Sequence, residues 1–153
     1  MVILKDAKLD LINKNMKTSN FKSYTGNDGV AICLYPPLSW TGPCFLNLAP
    51  DKETFFLKKS GKITEEEYRQ RYRERVLNKL NPNEIRKMFK NNVLLCYEDP
   101  IFDNNDKIVN KGSGFCHRHL ISEWIKETLG IDVDEWNPGD EILKNLSSSS
   151  ALF

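Results

Sequence analysis

The chain has 153 residues, 40% hydrophobic and 28% charged, with a formal net charge of +1. That length suits one domain with a full apolar core, and the near-neutral balance excludes bulk attraction to nucleic acid or membrane as an organising property. No apolar run approaches the roughly 18 residues of a membrane helix, and Lys5, Asp6, Lys8 and Asp10 break up any signal-peptide core at the start. The expectation is therefore a cytoplasmic protein without a membrane partner, whose four cysteines (Cys33, Cys44, Cys96 and Cys116) are reduced thiols, since no CxxC pair is present.

Residues 1–16 mix Lys and Asp with Val, Ile and Leu and read as an extension or edge element. Met16 to Phe21 reads as a first strand, and Gly26-Asn27-Asp28-Gly29 as a turn. Gly29 to Tyr35 is a continuous apolar run of strand length, as in a sheet covered on both faces. Pro36-Pro37 ends it, because proline cannot donate to a ladder. Residues 36–56 are expected as one long aromatic-rich loop. Thr64 with Glu67 three residues later spells a capping box, and Tyr68, Tyr72, Val76 and Leu80 extend one apolar face to about residue 80. Asn81-Pro82 restarts a second, shorter helix to about Lys90. Val93 to Tyr97 is the strongest strand signal, followed by a polar loop over 98–113. A helix from about Phe115 to Leu129 buries Leu120, Ile121, Trp124, Ile125 and Leu129, and Gly130 closes it. At about 100° per residue His117 falls on the inward stripe, Arg118 at its edge and His119 on the outward side. Ile131 to Val133 reads as a last short strand, and 138–153 as a tail.

This alternation of strands and helices predicts α/β architecture: a single three-layer domain over residues 17–137, with a mostly parallel central sheet flanked by helices. In such sheets ligands sit beyond the carboxyl ends of the strands. Asn20, Tyr35, Glu98 and the start of the last helix all fall at that edge.

Several segments also resemble the domain-of-unknown-function 488 family: Thr18-Ser19-Asn20-Phe21, Ala31-Ile32-Cys33, Pro36-Pro37-Leu38-Ser39-Trp40, Leu48-Ala49-Pro50, Leu94-Leu95-Cys96-Tyr97-Glu98, Cys116-His117-Arg118-His119-Leu120 and Glu135-Trp136. The resemblance covers roughly 17–136 and implies a fold and a pair of cysteine motifs, with no activity attached. The family pattern places a serine after the second strand's Ala-Ile, where this chain has Cys33.

The motif residues admit two readings each. Cys116 at a helix start is favoured as thiolate by the helix dipole. With His117 as partner and Glu98 as acid/base, these three form the candidate catalytic set. The plainer reading is a buried thiol beside a hydrogen-bonded core histidine. Arg118 can hold an anion at the helix start, or form a structural ion pair with Glu98 or Asp99. Asn20, Trp40, Cys96, Tyr97 and Arg118 make up the candidate ligand-binding set. Trp40, Tyr35 and Phe45 offer stacking surfaces or simply pack a loop. Cys96, Cys116, His117 and His119 are zinc-type ligands whose spacing fits no common zinc pattern, so no metal is assigned. The basic run Lys58-Lys59, Lys62, Arg69, Arg71, Arg73, Arg75 is interleaved with Glu65, Glu66, Glu67 and Glu74, which suits a solvated helix face. Without a Walker loop or GxGxxG, no nucleotide cofactor is called for. The expected function is an enzyme acting on a small phosphorylated, nucleotide-like or glycosidic ligand at a strand-end pocket. The alternative is a non-catalytic module binding nucleic acid or a nucleotide, for which the net charge gives no support.

Overall fold

The computed structural model describes residues 15–97, 101–102, 108–110 and 116–139. The expectations for residues 1–14, for the tail from 140 onward and for Glu98 lie outside them. Three strands, β1 (Lys17–Asn20), β2 (Gly29–Ala31) and β3 (Val93–Cys96), form a parallel sheet in the order β1-β3-β2. Asn20 pairs with Cys96 and Ala31 with Leu95, so the three carboxyl ends lie at one edge. Parallel bridges widen the sheet on both sides, Glu135 beside Thr18 and Cys44 beside Ala31.

Helix α1 (Lys52–Lys59), capped by the Asp51 side chain on the Thr54 amide, interrupts what was expected to be a loop over 36–56. Its charged ends hid it, because only Thr54 is fully buried and no apolar stripe marks it. Helix α2 (Glu65–Arg75) starts at the expected capping box, with both reciprocal bonds made. A 3-10 turn over Leu77–Lys79 carries its face onward. Helix α3 (Pro82–Phe89) is capped by Asn81, and α4 (His117–Leu129) ends at Gly130, whose φ of +69° is the left-handed conformation glycine adopts without penalty.

Tyr68 and Tyr72 of α2, Ile85 and Phe89 of α3, and Leu120, Ile121, Trp124 and Ile125 of α4 pack on Val30, Ile32 and Leu94 in one cluster. On the other side Val93 and Leu95 pack with Phe21, Tyr24, Trp40 and Trp136, none of them from a helix. The link from β1 to β2 spans only residues 21–28 and lays Phe21 and Tyr24 over that face. A parallel crossover usually takes a dozen residues or more; strands of three and four residues allow a shorter return. Gly29 permits the close approach, since a Cβ there would stand 2.7 Å from Leu95 Cδ1.

Three further boundaries differ from expectation. The second strand stops at Ala31 rather than Tyr35, where the chain turns out to form the rim of a cavity. The segment after β3 contains a two-stranded antiparallel ribbon, β4 (Ile101–Phe102) with β5 (Ile108–Asn110), within what read as polar loop. No strand forms at Ile131 to Val133. Those two side chains pack against the main cluster, and the sheet contact comes later, through the Thr18 amide to Asp134 O and the Trp136 amide to Thr18 O.

Candidate active site at the strand ends

A cavity of about 550 Å³ opens beyond the carboxyl ends of β2 and β3. Cys33, Cys96, Tyr97, Cys116 and His117 line its sheet side, and Lys58, Lys59 and Tyr68 line the side made by α1 and α2. Position follows from local chemistry. Cys96 is the last residue of β3, and Cys116 is the extended N-cap of α4, so strand end and helix start meet.

Two partners fix the imidazole of His117. Its Nε2 lies 2.6 Å from the Ile32 carbonyl, which only accepts, so Nε2 carries the proton. Nδ1 is then the unprotonated nitrogen, and it faces Cys116 Sγ at 3.7 Å. The ring also leans on Tyr72 at 5.5 Å, and the Tyr72 hydroxyl donates to Leu48 O at 2.6 Å. Burial, reinforced by the positive charges of Lys58 and Arg118, holds His117 down to about pKa 4, so it is neutral at pH 7. The group gains protons on unfolding. Its share of stability is complete above the unfolded value near 6.5 and is lost as pH falls toward 4. Urea unfolding should therefore show stability falling by on the order of 2 to 3 kcal/mol between pH 7 and 4.5. A His117→Gln chain should lose most of that slope. An unchanged slope in the variant would assign it to other groups.

The Sγ atoms of Cys96 and Cys116 are in contact, across 20 residues of sequence. This corrects the expectation of four separate thiols for one pair. Sequence spacing gave no sign of it because the fold, not a CxxC turn, brings them together. Cys33 and Cys44 are free; burial pushes the Cys33 thiol up to about 11, which keeps it protonated.

Arg118 is fully buried and turned away from the cavity. Its Nε donates to Glu135 Oε1 at 2.9 Å and its Nη1 to Cys96 Sγ at 2.8 Å. The expected anion-binding role is thus replaced by an internal ion pair. The partner is Glu135, which the sequence marked only as part of a closing motif, and the Thr18 hydroxyl donates to the same carboxylate oxygen. His119 is buried, not outward, because α4 is enclosed on nearly every side of its first two turns.

The other ligand-binding candidates divide. Tyr97 lines the cavity and its hydroxyl donates to the Tyr35 carbonyl. Asn20 is buried with Oδ1 accepting from the Lys22 and Ser23 amides, which shapes the turn after β1. Trp40 packs edge-on against Phe21 in the cluster on the far face, and Phe45 packs on Phe89. Neither lines the cavity. Lys58 sits 4.7 Å from the Tyr68 ring centre and Lys59 5.8 Å from that of Phe55, both in cation–π range. These lysines, the cavity's positive groups among its described lining, were read in the sequence only as part of a basic run.

The arginines of that run are engaged. Arg69 pairs with Glu123, Arg73 with Glu127, and Arg75 with Asp51 and Glu53. Their partners lie before and on α1 and on α4 rather than among the interleaved glutamates. No helix among the described residues is long and apolar enough to cross a membrane. No family model, curated protein or solved structure matches the chain.

Proposed function

We propose that the chain is an enzyme acting on a small phosphorylated, nucleotide-like or glycosidic ligand held in the strand-end cavity, with Cys116 as nucleophile and His117 as its proton acceptor. One observation carries this reading. The Ile32 carbonyl accepts a hydrogen bond from Nε2–H, which leaves the Nδ1 lone pair facing a cysteine on the cavity wall. The helix start adds a dipole that favours thiolate over thiol. Lys58 and Lys59 are suited to the anionic part of the ligand. Glu98, next in sequence after Tyr97, is the proposed acid/base group on its position in the chain. Membership in the domain-of-unknown-function 488 family, a three-layer arrangement and a cytoplasmic setting belong to the same proposal, on the strength of the motifs.

A second reading, a nucleotide-binding module without catalysis, is favoured by the exposed rings of Tyr35 and Tyr97 near the lysines. Aromatic faces stack on bases while lysines meet phosphate. Protection of Cys116 from iodoacetamide in the reduced protein tests the ligand class, with inorganic phosphate and a nucleoside monophosphate as probes. Protection is expected, weakened on the order of tenfold by Lys59→Met, the loss of one charged contact. No protection by either probe at millimolar concentration would count against a phosphorylated ligand. Once a substrate is in hand, unchanged turnover in Glu98→Gln would remove Glu98 from the mechanism and leave binding as the better reading.

A further inference from the structure

The chemistry above uses Cys116 and leaves Cys96 without a role. Cys96 is almost fully buried at the last position of β3, with Arg118 Nη1 donating to its sulfur. A guanidinium is a permanent cation, and a cation donating to sulfur favours thiolate over thiol. The two sulfurs therefore have different support. Both line the cavity; Cys116 has a proton acceptor beside it, and Cys96 a fixed positive charge. Thiol–disulfide exchange needs that division: an attacking sulfur that can hand on its proton, and a second sulfur that is stabilised as an anion and leaves readily.

We propose that Cys96 and Cys116 are a two-electron redox couple that exchanges with small anionic disulfides entering the cavity. The proposal rests on Cys116 being the attacking thiol of the same site. In the reducing direction the Cys116 thiol gives its proton to His117 Nδ1, and the thiolate attacks one sulfur of the bound disulfide. A Cys116–ligand S–S bond forms, the ligand's own S–S bond breaks, and the first ligand thiolate leaves with the proton held by His117. The Cys96 thiolate then attacks Cys116 Sγ. The Cys96–Cys116 bond forms and the second ligand thiolate leaves, taking a proton from solvent, to which Cys96 had earlier released its own. Two electrons pass to the ligand, which becomes two thiols, while the protein dithiol becomes a disulfide. The reverse direction consumes two ligand thiols. Lys58 and Lys59 suit a ligand bearing carboxylates. In a reducing compartment such a pair is transient and chemical rather than a structural staple.

The test uses the full chain equilibrated in a series of reduced to oxidised glutathione ratios, quenched in acid, alkylated and digested. Peptides linking Cys96 to Cys116 should rise from nearly none to nearly all across the series, with the dithiol form keeping its native circular dichroism. Arg118→Lys, which keeps the charge but loses the fork, should move the midpoint several-fold toward disulfide. The wild-type series decides the matter even if that variant folds poorly. No Cys96–Cys116 linkage at any ratio would overturn the proposal, and so would a dithiol form that unfolds, which would make the link a structural staple. Failure of the nucleophile reading is distinguishable. There, linkage still forms in the parent chain, while Cys116→Ser leaves turnover of the site's ligand unchanged.

Discussion

Glu135→Ala is expected to lower the unfolding free energy by roughly 3–5 kcal/mol, the cost of leaving a buried charge without its partner. Arg118 is enclosed completely and its ion pair with Glu135 is equally dry. Nη2 of the guanidinium already has no hydrogen-bond partner among the described residues, so no spare acceptor stands ready to replace the lost carboxylate. The same carboxylate takes the Thr18 hydroxyl and sits where residues 134–136 bridge to β1. Its removal therefore loosens the sheet edge along with the charge. Glu135→Gln keeps an acceptor of the same shape and should cost less. Urea midpoints at unchanged slope measure both. A loss below about 1 kcal/mol for Glu135→Ala would mean that Arg118 reaches water or another acceptor readily, the behaviour of an exposed pair.

His117→Gln is expected to slow chemistry at Cys116 by on the order of 10²-fold, the low end of what a positioned proton acceptor contributes, because burial holds the imidazole at about pKa 4 and makes it a weak base. Glutamine can still donate to the Ile32 carbonyl and fill much of the ring's volume, so the fold should survive. It cannot take a proton from sulfur. The readout is the alkylation rate of Cys116 in the reduced chain at pH 7, with Cys44, which is exposed and does not line the cavity, as internal control. Equal slowing at both cysteines would indicate a global change. Slowing confined to Cys116 assigns the effect to the imidazole.

The sheet and three of the four helices were legible because their signals are local. The capping box at Thr64, Asn81-Pro82 and the glycine after Leu129 mark boundaries that depend on a few neighbouring residues. Helix α1 was not legible, since no apolar stripe marks it and its one fully buried residue is a threonine. The convergence of motifs was legible: Cys96, Tyr97, Cys116 and His117 do meet at the carboxyl edge. Its wiring was not. Arg118 is spoken for by Glu135, which is 17 residues away and reaches it only because the segment after α4 returns alongside β1. The His117 tautomer depends on a backbone carbonyl 85 residues distant, and the Cys96–Cys116 contact on strand–helix geometry. Contacts of that range leave no period or motif in a single sequence.

The measurement that bears most directly on the site is the pH dependence of Cys116 alkylation in the fully reduced protein. The positive end of the helix dipole at the sulfur predicts half-maximal rate at a pH clearly below the roughly 8.5 of an ordinary thiol. A profile centred at 8.5 or above would show Cys116 to be an ordinary buried thiol and would contradict its proposed role as nucleophile.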